Sequence, residues 1–410
     1  MDLITLAVPF FLLSILLEFL WGWWRGNNTY RLNDMFSSLM LGNLSQARRF
    51  VTLGVGGVVY HWVTEYFSMP LWDASVWWTW VIAFVLYDFC YYWLHRMGHE
   101  RQILWAAHVA HHQSEDYNLS TALRQTSTGF LFGWIFYLPL FFLGIPAEVV
   151  VTVGALNLIY QFWVHTQHVP ELGWFEYVFV SPSNHRVHHA QNDCYLDRNY
   201  GGVFILWDRI FGTYQRELPE EPCVYGIRGP INSWNPVVAL THIYRDMLHD
   251  MIYAKTFTQR VRVLFARTGW QPESVPAEAR RAKNDLSQFR KFDPAVSGLV
   301  QWSAGLQLLI ATLLLVFGQL LASSELPLWP VWGLMVWGGV ATAWWLEGRG
   351  SLSLLLTDAL RAGLSTWLLY SDGAVEAAFA VALLSALSGA LFLFDHQKNT
   401  RIATSDAGIA

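Results

Sequence analysis

The sequence predicts an all-α integral membrane protein, a multi-span helical bundle with a histidine-rich di-metal site on its cytoplasmic side. Three observations carry that expectation. Apolar residues make up 54% of the 410 residues and charged residues only 14%, against roughly 25% charged in a soluble domain. Twenty-three tryptophans sit mostly beside apolar runs, as in the aromatic belts at membrane–water interfaces. Ten of the fourteen histidines fall between positions 95 and 189, in spacings that suit metal ligation.

Residues 3–22 form a near-continuous apolar run, about the length a bilayer span needs. A cleaved leader is the weaker reading, because no basic residue precedes the run and no clear small-residue site ends it. Residues 36–66, interrupted by Arg48 and Arg49, suggest one amphipathic segment and one short span. Residues 76–94, 128–144 and 147–164 read as further spans, the last two divided by the turn signal Gly144-Ile145-Pro146. Two spans there return the chain to the face it left, so histidines on either side of them can meet. Residues 170–294 are polar and rich in arginine, which places this stretch and the metal site in the cytoplasm. Residues 267–294 predict a helical linker lying over the interface. Residues 296–322, 328–346 and 374–394 complete the spans, and 351–370 is a weaker one because Asp358 and Arg361 interrupt it.

These segments predict four regions: membrane segments over 1–75, a histidine-bearing catalytic domain over 76–235, a cytoplasmic amphipathic linker over 236–294, and membrane segments over 295–410. The net charge of -5 is small for this length and gives no reason to expect a nucleic-acid partner. Cys90, Cys194 and Cys223 form no CxxC pair and read as reduced thiols.

The histidines repeat one device. His95 and His99 are four apart; His108, His111 and His112 follow, then His185, His188 and His189 with the same HxxHH spacing. On helices such pairs share one face. One tetrahedral ion uses about four ligands, so eight imidazoles predict two metals, each with an open position. All-nitrogen ligation suits iron, copper, nickel or zinc, and not calcium or magnesium. His165, at a span end in QFWVHTQH, is a further candidate ligand ahead of His168. His61, His242, His249 and His396 lack a ligand-spaced partner and read as ordinary interfacial residues. Asp88, seven residues before His95, is placed to accept the free N–H of a ligating histidine and fix its tautomer. Glu100 follows His99 and is placed to orient a ligand or handle protons. Asp116, Asn118, Arg124 and Asn184 are candidates for binding a cofactor or ordering the loops.

Two open irons at the ends of apolar helices can activate dioxygen against a C–H bond of a membrane lipid, given two external electrons. The chain carries no Rossmann glycines, no Walker A and no CxxCH. The reductant is then a separate electron-transfer protein or a small diffusible cofactor. A non-catalytic metal carrier is the contrasting reading; ionisable groups strung through the middle of several spans would favour it, and here the histidines gather at span ends.

The segments YYWLHRMGHE, HHQSEDYNLSTALRQ, NLIYQFWVHT, NHRVHH and NYGGVFILWDRIFGTY resemble the fatty acid hydroxylase/sterol desaturase superfamily, and within it the branch of glyceryl-ether monooxygenases. The motif-bearing resemblance covers roughly residues 75–235. It implies that His95, His99, His108, His111, His112, His185, His188 and His189 bind two non-haem irons. It matches Glu100 and His165 to the family's acidic residue and its span-end histidine. It also implies O2 as co-substrate, tetrahydrobiopterin as reductant, and hydroxylation of the ether-linked carbon of an alkylglycerol, releasing a fatty aldehyde and a glycerol derivative. The competing expectation is a sterol or fatty-acyl hydroxylase or desaturase fed by a protein electron donor.

Overall fold

The computed structural model describes residues 3–47, 54–67, 69, 71–320 and 328–407. The described residues form helices joined by loops, with no strand and two isolated bridges, Phe179 to Phe204 and Ala190 to Tyr225. The chain divides into two compact units: residues 1–30, 54–230 and 240–290, and residues 31–53, 231–239 and 291–410. Arg48 and Arg49 lie outside the described residues.

The first unit contains α1 (Leu3–Arg25), α3 (Val55–Phe67), α4 (Trp77–Glu100), α5 (Gln102–Ala106), α6 (Leu119–Ala122), α7 (Gly133–Phe142), α8 (Ala147–Trp163), α9 (Pro182–His189), α10 (Leu206–Ile210), most of α11 (Pro236–Tyr253) and α12 (Phe257–Phe265). The helix α4 packs on α7 and α8, α3 packs on α7, and α1 packs on α8. Ala83, Cys90, Leu140, Phe141, Ile145, Val149 and Val153 are buried where α4, α7 and α8 meet. A Cβ at Gly154 would lie 2.8 Å from the Tyr87 hydroxyl, so only glycine lets α8 approach α4 this closely.

Four described helical stretches are long and apolar enough to cross a membrane: Leu6–Arg25, Gly298–Gly318, Leu352–Ser371 and Val375–Lys398. The chain is a multi-pass membrane protein on this basis. The expected segment 147–164 forms α8 almost to its bounds, and the one at 128–144 is shorter than predicted. The helix α7 has 10 residues and α8 has 17, about 15 and 25 Å at 1.5 Å per residue against roughly 30 Å of hydrocarbon. Residues 129–131 form a 3-10 turn instead of helix, and Gly144 at φ 71° closes α7. The stretches before α7 and after α8 still meet, His111 Nε2 lying 3.3 Å from His165 Nε2.

The second unit holds α2 (Leu32–Ala47), α13 (Gly298–Leu320), α14 (Trp329–Leu346), α15 (Leu352–Ser371) and α16 (Val375–Ala407). The doubt that Asp358 and Arg361 cast on 351–370 is removed by their pairing. Arg361 Nε donates to Asp358 Oδ1 at 2.7 Å, and its Nη2 donates to Gln307 Oε1 at 2.7 Å. Gln307 Nε2 returns 2.9 Å bonds to Asp358 and Ser388. Charges in hydrocarbon are tolerated when they face the bundle and are paired, so α15 keeps both. The predicted helix over 267–294 is absent: only 3-10 turns at 277–279 and 286–288 form there. Pro272 and Pro276 break the pattern, and the amphipathic helix lies earlier, as α12.

Candidate metal centre

Four short stretches of the first unit bring nine histidines together. His95 and His99 end α4, and His108 and the 3-10 turn Val109–Gln113 follow α5. His165 lies just past α8, and His185, His188 and His189 lie on α9. The start of α9 is written in SPSN. Ser181 is the N-cap and Pro182 fills N1; the Asn184 N–H donates to Ser181 Oγ while the Ser181 N–H donates to Asn184 Oδ1. Such a reciprocal cap stabilises a helix start by about 1 kcal/mol. Glu176 receives the hydroxyls of Ser181 and Ser183 at 2.6 and 2.8 Å.

The nine imidazoles fall into two groups, each with its ligand nitrogens within 4.8 Å of one another. One is His95, His99, His108, His112 and His188; the other is His111, His165, His185 and His189. Two of the three sequence clusters are therefore divided. His108 keeps His112, four residues on, and His111 joins the other group. On α9 His185 likewise keeps His189, four residues on, and His188 joins the first group.

Backbone carbonyls set the tautomers. The Nδ1 atoms of His95, His111, His165 and His188 lie 2.8, 2.9, 2.8 and 3.0 Å from the carbonyls of Tyr200, Arg124, Gln161 and Arg198. A carbonyl only accepts, so each Nδ1 carries the proton and each Nε2 a lone pair. The bare Nε2 atoms of His111 and His165 nonetheless face each other at 3.3 Å. His165 and His185 approach at 3.1 Å, His185 and His189 at 3.2 Å, and His108 and His112 at 3.1 Å. The Nε2 atoms of His95, His99 and His188 are buried without a partner. Two nitrogens each about 2.1 Å from one ion at 90–110° would lie about 3.0–3.4 Å apart. The two groups thus fit two transition-metal ions held by neutral imidazoles.

Burial pushes every one of these imidazoles below its usual pKa, to about 3 for His95 and about 4 for His111. His99, His108, His112, His165, His185, His188 and His189 shift the same way, with mutual repulsion adding to burial. They stay neutral and ready to ligate. An unfolded chain protonates these histidines below about 6.5 whereas the fold does not. Stability of the metal-free protein is therefore expected to fall as pH drops below 6.5 and to keep falling toward about 4. An unfolding midpoint that stayed flat over this range would contradict neutral burial.

Asp88 does not hold a histidine. It is fully buried and accepts from Asn157 Nδ2 at 2.6 Å, the N–H groups of Val203 and Phe204 at 2.9 and 3.0 Å, and Trp207 Nε1 at 2.9 Å. It pins the loop whose Tyr200 carbonyl orients His95. A Cβ at Gly202 would sit 2.7 Å from Tyr91 and 2.9 Å from Asp88, so this close approach requires glycine. Asp208 holds the loop from its other side, accepting from the Tyr200 and Gly201 N–H groups at 2.7 Å each; burial raises its pKa to about 6. Replacing Asp88 by alanine strands four donors, two of them buried, and is expected to cost about 3 kcal/mol or more. A clear fall in unfolding temperature checks it.

Glu100 stands outside both ligand groups, held by Arg96 Nε at 2.8 Å. Arg124 is buried and donates Nε to the Ala110 carbonyl at 2.8 Å while its own carbonyl takes His111. Asn118 caps α6 and donates to the Thr29 carbonyl at 2.8 Å, and Ser114 Oγ donates to the Asp116 carbonyl at 2.8 Å. These residues order the histidine-bearing loops. Glu18 is a residue that sequence reasoning missed: buried on α1, it accepts from Tyr30 and Thr166 and from the Leu119 N–H at 2.8 Å. Its signal was present, as the one charged residue within the apolar run of 3–22.

A helical membrane protein that gathers nine imidazoles into two buried groups is a narrow class, and sequence comparison agrees with it. The fatty acid hydroxylase family profile matches residues 80–213. The chain belongs to the fatty acid hydroxylase family. It is 42% identical over 275 residues to an alkylglycerol monooxygenase of Homo sapiens, covering 66% of this chain and 60% of that protein. It is 37% identical over 309 residues to the alkylglycerol monooxygenase of Xenopus tropicalis, covering 73% and 67%. An ornithine lipid hydroxylase of Rhizobium tropici is 28% identical over 159 residues, covering 37% and 46%. The chain thus spans about three fifths of the human relative's length. No solved structure matches.

Proposed function

We propose that this chain is a membrane-bound non-haem di-iron monooxygenase acting on the ether-linked carbon of alkylglycerols. The observation that carries this reading is the pair of buried, neutral imidazole groups at helix ends, in a chain up to 42% identical to alkylglycerol monooxygenases. Iron bound by these two groups would supply dioxygen activation. The chain's own contribution is to hold the ligand nitrogens bare through carbonyl-fixed tautomers and to exclude water around them. Asp88 acts through the 200–207 loop as a positioning residue. Glu100, held by Arg96, handles protons at the edge of the first group.

Hydroxylation of the ether carbon takes one oxygen atom of O2, two electrons and two protons, and releases the other oxygen as water. The hemiacetal then loses its C–O bond to glycerol; the hydroxyl proton passes to the glycerol oxygen and a fatty aldehyde leaves. Tetrahydrobiopterin serves as the two-electron donor, and the metal groups face the cytoplasm, as the arginine-rich 170–294 stretch supports. The similarity to an ornithine lipid hydroxylase favours a second reading, acyl or sterol hydroxylation fed by an electron-transfer protein. Incubating the purified protein with an alkylglycerol, O2 and tetrahydrobiopterin separates the two. Fatty aldehyde is the expected product; hydroxylation of an acyl or sterol chain, supported only by a protein donor, would replace the first reading with the second.

A further inference from the structure

We infer that α12 and the adjoining end of α11 form a docking face for the anionic headgroup layer of the membrane that holds the chain. The helix α12, FTQRVRVLF, carries apolar residues on two sides. Val263 is buried against Ala106 and Met247. Phe257, Val261 and Phe265 repeat every four residues on the other side, and all are exposed, Phe257 by 79%. On α11, whose Met247 packs against Val263, Leu248 and Ile252 are exposed too, Ile252 by 78%. A stripe of this kind lies in the acyl boundary of a bilayer when its flanks are basic.

The flanks are basic. Arg101, Arg262 and Arg267 line a half-open cleft of about 390 Å³, together with Phe265, Ala266 and Trp270. The Arg262 guanidinium stacks 4.6 Å over the Trp270 ring, and Arg101 donates to the Phe265 carbonyl at 3.3 Å. Among the described residues none of these three arginines forms an ion pair with a carboxylate; Asp197 is close enough to feel the charge of Arg267. Guanidinium groups bind phosphate oxygens in a bidentate fork. Three of them beside an apolar stripe match a phosphate joined to an acyl chain, which is the chemistry of an anionic phospholipid.

The depth also agrees. The Gln102 N–H donates to the Ala266 carbonyl at 3.1 Å, Gln102 Nε2 donates to the Val263 carbonyl at 2.9 Å, and Thr268 Oγ1 donates to the His99 carbonyl. The end of α12 is therefore tied to the end of α4. Trp77, Val81, Ile82 and Val85 are exposed along the opposite half of α4, as lipid-facing residues would be. The 24 residues of α4 rise about 36 Å, though α4 is not among the four stretches apolar enough to cross a membrane. Exposed apolar residues at one end of α4 and α12 tied to its other end set α12 toward the headgroups. The inference rests on membrane embedding and not on the lipid oxidation proposed above.

The test exchanges the purified full-length protein into micelles holding phosphatidylglycerol and phosphatidylcholine, and counts retained lipids by native mass spectrometry. Wild type is expected to retain phosphatidylglycerol preferentially. Arg262→Gln with Arg267→Gln is expected to lower that preference roughly tenfold or more. Arg262→Lys with Arg267→Lys, which keeps the charge, retains most of it. Helix content and bound metal equal to wild type show that the variants fold; should the glutamine pair misfold, the lysine pair and wild type still decide. Equal retention of both lipids by wild type overturns the inference, as does an unchanged preference in a folded glutamine pair. Displacement of the lipid by millimolar inorganic phosphate would instead make the cleft a soluble-anion site. Loss of ether-lipid turnover alone, with lipid retention intact, would count against the proposed function and leave this inference standing.

Discussion

Replacing His111 by alanine is expected to abolish turnover and to empty the metal group formed with His165, His185 and His189. His188→Ala does the same for the group formed with His95, His99, His108 and His112. The argument is geometric. The Nε2 of His111 is left bare because its Nδ1 is held by the Arg124 carbonyl, and a four-nitrogen group that loses one nitrogen loses a quarter of its ligands. Losing one partner of a hydrogen-bonded ligand shell typically lowers metal affinity 10–100-fold, and loss of a ligand itself is expected to lower it further. His249→Ala is the control. That imidazole is 41% exposed beside Asp250 and Tyr253, outside both groups, so metal content and turnover stay near wild type. Metal analysis of the three purified variants checks this. Full metal and full activity in His111→Ala would end the two-group account.

His165→Ala is expected to cost as much metal as His111→Ala. Sequence spacing placed His165 below the clustered histidines, because it stands alone past a span. The structure puts its Nε2 3.3 Å from that of His111 and 3.1 Å from that of His185, with Nδ1 held by the Gln161 carbonyl. It meets every condition that the clustered ligands meet. Metal content close to wild type in His165→Ala, with His111→Ala depleted, would show that the second ion sits off the His165 side.

The class of fold and the identity of the histidine clusters were legible because both are local. Apolar runs and HxxHH spacings do not need tertiary structure to be seen. What was not legible depends on contacts between distant residues. The division of HxxHH between two metal groups follows from which neighbouring stretch each imidazole meets: His111 faces His165, and His188 joins His95 and His99. Asp88 has the helical phase to serve His95, yet four donors from residues 157 and 203–207 reach it first. The tautomers are set by carbonyls, which every residue possesses and which no sequence pattern marks. The helix α7 is shorter than hydropathy suggests because hydropathy continues through residues 129–131, where the backbone is no longer α-helical. Glu18 was legible and overlooked: a single carboxylate in an apolar run has to find partners, and it finds Tyr30, Thr166 and Leu119.

The central claim is that two ions sit in two imidazole groups, and metal stoichiometry of the purified protein tests it most directly. The account predicts two irons per chain, one for each group, falling to one in either His111→Ala or His188→Ala. A single ion in the wild-type chain, or two ions retained in both variants, would contradict it.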